Sequence, residues 1–117
     1  MSKITVYEKP TCTTCRKLSK LLQEQGIEFE KVNYYIKPFT KNKINTLLKK
    51  MGITAEELLR TRDAAYKELD MKNKKYTKAE LVEKMVENHD LIQRPIVELG
   101  DKAVLARPVE RVNELFG

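Results

Sequence analysis

A cysteine turn between a strand pattern and a helix pattern constrains the fold of this chain more than any other feature. Residues Ile4–Tyr7 alternate in the manner of a half-buried strand. Leucines within 18–22 recur at helical spacing among basic residues. Pro10 and Thr11 mark the break between the two patterns. The sequence therefore predicts a strand-to-helix turn, with Cys12 at or near the helix N-cap.

This position gives Cys12 a chemical character. Unpaired backbone N–H groups and the helix dipole favour a thiolate there, and Arg16 and Lys17 add positive charge one turn along. Cys15 lies three residues on and shares a helix face with Leu18, so we expect it to be more buried and less reactive. A Cys-x-x-Cys pair in this setting, in a chain with no other cysteine, indicates a redox or nucleophilic site.

Other uses of the two cysteines are less favoured. A zinc site needs about four ligands, and His89 is the only other soft ligand. A structural disulfide across two residues would constrain the unfolded chain little. We therefore predict chemical use of Cys12, no metal and no bound cofactor. Cys15, one turn below, lies within disulfide reach if the turn is regular.

Composition limits the class of protein. The 117 residues are 41% hydrophobic, which suits one domain with a core. No apolar run approaches a membrane span, and the N-terminus lacks a signal-peptide layout. We therefore expect a cytoplasmic protein, and a monomer, with no membrane association. In a cytoplasmic protein a cysteine pair is more often catalytic than structural.

The net charge of +6 is concentrated in one stretch. Residues 31–55 hold six lysines and no acidic residue. A solvated helix face is the favoured interpretation, and a surface for an anionic partner is the alternative. We expect no exposed aromatic residues between the basic ones, and no recognition motif is present, so direct binding of nucleic acid is not expected.

Glycine, proline and helix-capping residues along the rest of the chain predict where the remaining helices and strands begin and end. Gly26 should end the first helix, and residues 27–34 should form a second strand with Phe29 and Val32 in the core. Helices are predicted within 44–51, 54–60, 62–69 and 77–88, the second and fourth opened by capping boxes. Two strands, 96–99 and 103–106, should flank a Gly-Asp hairpin turn. Pro108 should open a last helix with Val109, Val112 and Phe116 inward.

The predicted order is β-α-β, a helical insert at about 40–93, then β-β-α. This is the layout of the thioredoxin-like fold, an α/β fold with a mixed four-stranded sheet. Pro95 stands immediately before the third strand, where such folds place a cis proline beside the reactive sulfur.

The chain as a whole resembles the arsenate-reductase and Spx-type (ArsC-like) branch of thioredoxin-fold proteins, which carries an inserted helical lobe. The resemblance rests on several separated motifs: Ile4–Cys12, Met51–Thr54, Leu58–Thr61, Tyr66–Leu69, Leu91–Val97 and Ala106–Pro108. The domain is accordingly predicted to span residues 1–117.

The resemblance implies an arsenate reductase of the glutaredoxin-coupled type. It identifies Cys12 as the nucleophile, and Arg60, Arg94 and Arg107 as ligands of an oxyanion. Guanidinium forks suit a tetrahedral oxyanion, and they would lower the pKa of a nearby thiol. The implied partners are arsenate or a similar oxyanion, with glutathione and glutaredoxin, or thioredoxin, as electron donor.

Two residues depart from the family pattern. Glu8 stands where many of these reductases have His, and a carboxylate beside Cys12 would raise the pKa of the thiol unless it points away or pairs with Arg16 or Lys17. Cys15 is often absent from glutathione-dependent reductases, in which glutathione supplies the second thiol. As a possible resolving thiol, Cys15 leaves the donor open.

Two other functions stay open. Spx-type regulators bind the RNA polymerase α subunit and use Cys-x-x-Cys as a redox switch, but they tend to lack the Ala-Arg-Pro arrangement around Arg107. A general thiol–disulfide oxidoreductase would use Cys12 and Cys15 and leave the arginines idle. The arginine set favours the enzyme that reduces arsenate.

Overall fold

A mixed β-sheet carries the cysteine turn. The computed structural model of the protein describes residues 4–9 and 12–116; Pro10 and Thr11, to which the sequence assigns the break, lie outside the described residues. Within the described part, four strands form one sheet in the order β2-β1-β3-β4. They are β1 (Ile4–Glu8), β2 (Phe29–Asn33), β3 (Ile96–Leu99) and β4 (Lys102–Leu105). β1 is parallel to β2, while β3 is antiparallel to both β1 and β4.

The first helix follows the predicted pattern. Helix α1 (Thr13–Glu24) begins directly after Cys12, and Gly26 adopts a positive φ of 69° just past its end. The helix buries Leu18 and Leu22 against the sheet, in a core shared with Val6 and Val97. Burial of such side chains stabilises the fold by about 1.5–3 kcal/mol each.

Strand β2 is shorter than the predicted 27–34, and Phe29 and Val32 are only half-buried. β2 lies at one edge of the sheet. Edge position alone does not expose a strand, because β4 at the other edge is mostly buried and packs against residues 109–115. The fully buried side chain of this region is Tyr34, which follows the strand.

The chain divides into two compact units, one of residues up to 37 together with 94 onward, and one of residues 38–93. The second unit is helical, with α2 (Lys41–Met51), α3 (Ala55–Leu58), α4 (Ala64–Glu68) and α5 (Lys78–Glu87). Short 3-10 turns occupy Met71–Asn73 and His89–Leu91. Both predicted capping boxes are present, at the starts of α3 and α5. Helices α2 and α3 both pack against α5.

The C-terminal segment corrects one prediction. The hairpin between β3 and β4 is confirmed, but Val109–Leu115 is a 3-10 helix and not an α-helix. Val112 and Leu115 are buried, whereas Phe116, predicted to point inward, is 41% exposed. Apolar residues recur every three positions here (109, 112, 115), which matches the three residues per turn of a 3-10 helix.

Candidate active site

The Cys12 thiol lies at the start of α1. Cys12 is the N-cap residue, with extended backbone angles, and its carbonyl accepts the first helical hydrogen bond from the Arg16 N–H. Its own N–H donates to the Lys9 carbonyl at 2.9 Å, which closes the turn from β1. The predicted position of the cysteine is therefore confirmed, and its side chain is partly accessible.

The pKa of Cys12 lies below its ordinary value. Burial alone would raise it, but the thiolate accepts hydrogen bonds from the Cys15 side chain, the Cys15 backbone and the Arg94 side chain, and these outweigh burial. The positive charge of Arg94 acts in the same direction. At neutral pH, a larger fraction of the Cys12 side chain is therefore thiolate than in a free cysteine.

Cys15 has the opposite character. Its side chain is fully buried, and both cysteines are free thiols. Burial, followed by the hydrogen bond that its thiol donates to Cys12, raises the pKa of Cys15 to about 12. The sequence-based expectation of a more buried, less reactive Cys15 agrees with this environment.

Glu8 is buried at the end of β1. Its carboxylate lies 4.0 Å from the Lys31 Nζ on β2, and burial raises its pKa although Lys31 opposes that shift. Arg16 lines the same polar pocket. The charge of Glu8 contributes to the raised pKa of Cys15. A carboxylate in this place therefore helps to keep Cys15 protonated.

Arg94 is the buried cation of the site. It is 6% exposed, and its Nη1 donates to the hydroxyls of Tyr34, at 3.4 Å, and Tyr35, at 3.5 Å. Its buried Nε has no hydrogen-bond partner within the described residues. Such an orphaned donor is costly unless a ligand satisfies it.

Arg107 is fixed to Arg94 through the main chain. The Arg107 Nη1 donates to the Arg94 carbonyl at 2.8 Å, while the Arg107 residue itself is exposed. The peptide bond between Arg94 and Pro95 is cis, as expected from the thioredoxin-like layout, and the one between Arg107 and Pro108 is cis as well. Cys12, Arg94 and Arg107 therefore all lie in the compact unit that contains the sheet.

Arg60 belongs to the helical unit. Its Nη1 donates to Asp63 Oδ2 at 2.9 Å and to the Asp90 carbonyl at 3.4 Å. Its backbone N–H donates to the Leu91 carbonyl at 2.7 Å. Its assignment as an oxyanion ligand stays a prediction from the resemblance.

Tyr34 and Tyr35 did not emerge from the sequence as site residues. Their contacts with Arg94 span about sixty positions, which local patterns do not reveal. A signal was nevertheless present. Two tyrosines follow β2, which runs parallel to β1, so both strands end at the edge where the Cys12 turn begins.

Two further properties concern ligands and membranes. Across residues 4–9 and 12–116, no group of three or more His, Cys, Asp and Glu side chains could hold a metal ion. Over the same ranges, every helix is too short or too polar to cross a lipid bilayer.

Comparison with known proteins places this chain among related ones. The profile of the ArsC family matches residues 7–115. The arsenate reductase of Haemophilus influenzae is 36% identical, over 97% of this chain and 98% of the relative, and that of Escherichia coli K12 is 35% identical, over 99% and 82%. The structure of an arsenate reductase from Vibrio cholerae superposes with a TM-score of 0.90 at 28% identity, covering 97% of each chain. The chain belongs to the ArsC family and has its thioredoxin-like fold.

Proposed function

We propose that this protein is an arsenate reductase in which Cys12 is the nucleophile. The observation that carries the proposal is the contact of the Arg94 side chain with the Cys12 sulfur, beside a buried guanidinium nitrogen that has no partner among residues 4–9 and 12–116. A thiolate next to a guanidinium at the start of a helix can hold an oxyanion and attack its central atom. The relatives named arsenate reductase support arsenate as that oxyanion.

The first step forms a bond from the Cys12 sulfur to arsenic. The thiolate attacks As(V), an As–O bond breaks, and the departing oxygen takes up protons and leaves as water. Arg94 and Arg107 would neutralise the remaining oxygens. No electron has been transferred to arsenic at this stage, because the Cys12–arsenate adduct is still As(V).

The second step reduces arsenic. A second thiolate attacks the Cys12 sulfur, a disulfide forms, and the electron pair of the S–As bond stays on arsenic, which leaves as arsenite. Glutaredoxin or thioredoxin then reduces the disulfide with two electrons. Glutathione is the favoured second thiol, because burial raises the pKa of the Cys15 thiol and disfavours its nucleophilic thiolate form at neutral pH.

The decisive assay follows arsenate-dependent consumption of reducing equivalents, with glutathione–glutaredoxin and thioredoxin as alternative donors. Cys12→Ser should abolish turnover. Arg94→Ala and Arg107→Ala should each lower kcat/KM by roughly tenfold to a hundredfold, the effect of one charge-assisted hydrogen bond. Arg111→Ala is the matched control, because Arg111 is an exposed arginine that pairs with Glu114. Variants that turn over arsenate at the rate of the unaltered protein but melt at lower temperature would mark Arg94 and Arg107 as structural.

A second candidate, a general thiol–disulfide oxidoreductase, is favoured by the hydrogen bond between Cys15 and Cys12. The two functions differ in substrate, because an arsenate reductase consumes reducing equivalents only when arsenate is added, whereas a general oxidoreductase reduces disulfides without it. Cys15→Ser then identifies the resolving thiol. An arsenate reductase served by glutathione should keep nearly all its turnover in this variant. A protein that resolves through Cys15 should stall unless glutathione is added.

A direct binding measurement needs no turnover. Sulfate, phosphate or arsenate at millimolar concentration should slow alkylation of Cys12, because each anion would cover the sulfur from the side of Arg94. Unchanged alkylation would contradict an oxyanion site at Cys12. The result is independent of which donor reduces the protein.

A further inference from the structure

Tyr35 links the two sides of the cysteine turn. The Lys9 Nζ lies 4.9 Å from the centroid of the Tyr35 ring, a cation–π contact. The Tyr35 hydroxyl accepts a hydrogen bond from Arg94 Nη1 at 3.5 Å. One side chain therefore contacts both the residue before the cysteine turn and the guanidinium that reaches the sulfur.

These contacts close a ring around Cys12. The Arg94 side chain donates to the Cys12 sulfur, and the Cys12 N–H donates to the Lys9 carbonyl at 2.9 Å. The Lys9 main chain also hydrogen-bonds to Cys15. Starting from Tyr35, the ring runs through Arg94, Cys12 and Lys9 and returns to Tyr35.

The neighbouring Tyr34 supports this ring from the protein interior. Tyr34 is fully buried, and its hydroxyl accepts from the same Arg94 nitrogen at 3.4 Å. Its ring lies 5.0 Å from that of Tyr35, at an interplanar angle of 32°. Two rings in contact, whose hydroxyls both accept from one nitrogen, restrict where that guanidinium can lie.

We propose that Tyr35 is a positioning residue, which holds Lys9 and Arg94 in place around the Cys12 thiolate. The part of the proposal that concerns arsenate rests on the proposed function; the part that concerns the thiolate does not. Tyr35 acts through Arg94 and Lys9, and it does not need to touch the substrate. The contacts that carry this role are the hydrogen bond from Arg94 at 3.5 Å and the cation–π contact with Lys9 at 4.9 Å.

Two substitutions separate the contacts of Tyr35. Tyr35→Phe keeps the ring under Lys9 and removes only the hydroxyl, whereas Tyr35→Leu removes both contacts. Tyr35 is 37% exposed, so neither variant leaves a large buried cavity. Tyr7→Phe is the matched control, because the Tyr7 hydroxyl donates to Glu98 at 2.7 Å, a bond outside the ring.

The first measurement is the pH dependence of Cys12 alkylation, read by mass spectrometry in the absence of arsenate. Tyr35→Phe should reduce the thiolate fraction at neutral pH by about two- to fivefold, the effect of losing one weak hydrogen bond. Tyr35→Leu should reduce it further, and Tyr7→Phe should leave it unchanged. An identical profile for Tyr35→Phe and the unaltered protein, or an equal shift in Tyr7→Phe, would overturn the proposal.

A double-mutant cycle tests the ring itself. Lys9→Met and Tyr35→Leu each break the contact between Lys9 and Tyr35, so their combined effect on alkylation should be smaller than the sum of the single effects. Strictly additive effects would show that the two residues act separately and would contradict the ring.

The last measurement concerns arsenate. Tyr35→Phe should raise KM about two- to fivefold and change kcat less, because a misplaced Arg94 weakens binding of the anion before and during reaction. If the unaltered protein does not reduce arsenate while Tyr35→Phe still shifts the alkylation profile, the proposed function fails and the positioning role stands. A kcat that falls while KM stays constant would contradict positioning of the anion.

Discussion

At the scale of single residues, Cys12 and Cys15 have the same side chain but differ in pKa because their surroundings differ. Both are cysteines of one helical turn, yet hydrogen bonds lower the pKa of one and burial raises that of the other to about 12. The order of reactivity could be predicted from the sequence, because the N-cap position and the apolar face follow from spacing alone. The contact with Arg94 follows from no local pattern, because it joins positions more than eighty residues apart, and only the family resemblance led us to expect it.

Alkylation as a function of pH should therefore separate the two thiols. Cys12 should react at neutral pH, because its pKa is lowered, and Cys15 should stay unmodified until far higher pH. Peptide mapping after brief iodoacetamide treatment measures both sites in one sample, and Cys12→Ser provides the control for Cys15. Preferential modification of Cys15 at pH 7 would reverse the assignment.

The carboxyl of Glu8 gives a second prediction at this scale. Burial raises the pKa of the Glu8 carboxyl, so the folded state disfavours its ionised form. The free energy of unfolding is therefore highest while Glu8 is protonated, and it falls as pH rises through the raised pKa. Glu8→Gln should therefore increase the melting temperature at pH 7, with little change at pH 3 to 4. It should also lower the pKa of Cys15, since the charge of Glu8 helps to raise it.

Glu28→Gln is the control for that experiment, because Glu28 is an exposed carboxyl that directly precedes β2, the neighbour of β1 in the sheet. It should leave both the melting temperature and the titration of Cys15 unchanged. A Glu8→Gln variant that melts below the unaltered protein at pH 7 would show that the ion pair with Lys31 outweighs the cost of burial.

At the scale of elements, the sequence predicts structure correctly where a short motif is specific to one kind of local structure. The capping boxes opened by Thr54 and Thr77 formed as expected. The predicted helix type of the C-terminal segment is wrong, because Val109, Val112 and Phe116 fit α-helical spacing, while Val109, Val112 and Leu115 fit the spacing of the 3-10 helix that forms. The predicted extent of β2 is wrong as well, since the strand is shorter than expected.

The capping box of α5 allows a direct test at this scale. Thr77 accepts from the Glu80 N–H at 3.2 Å, so Thr77→Ala should lower the free energy of unfolding by about 1 kcal/mol. Thr46→Ala is the control, since the exposed Thr46 hydroxyl only donates to the Asn42 carbonyl inside α2. Alanine favours a helix interior, so this control should be neutral or slightly stabilising. Chemical denaturation measures both, and equal losses would contradict a specific role of the cap.

At the scale of the whole molecule, the candidate catalytic residues are divided between the two compact units. Cys12, Arg94 and Arg107 belong to the unit that contains the sheet, and Arg60 belongs to the helical unit. The lysine-rich stretch also crosses this division, since Lys31 lies on β2 near Glu8 while Lys41 begins α2. The helical unit begins at Pro38 and ends at Gln93, close to the bounds of the helical insert predicted at about 40–93.

Arg60 gives the prediction that belongs to this scale. Arg60→Ala should lower kcat/KM for arsenate by roughly tenfold, if it binds the oxyanion as the resemblance implies. It should leave the alkylation profile of Cys12 unchanged, because Arg60 is not among the groups that lower the pKa of the Cys12 thiol. Asp63→Asn is the companion variant, since it removes the ion pair at 2.9 Å and keeps the arginine. Full turnover in Arg60→Ala would show that Arg60 does not bind the oxyanion and serves its contacts with Asp63 and the Asp90 carbonyl.

Because the Cys15 thiol donates to the Cys12 sulfur, the reduced pair holds one proton instead of two between the pKa of Cys12 and about 12. Oxidation to a disulfide in that range would release two electrons with a single proton, so the midpoint potential of the pair would fall by about 30 mV per pH unit. Glutathione, which releases one proton per electron below its own pKa, falls by about 59 mV per unit. The driving force for glutathione to reduce this protein therefore grows as the medium becomes more alkaline.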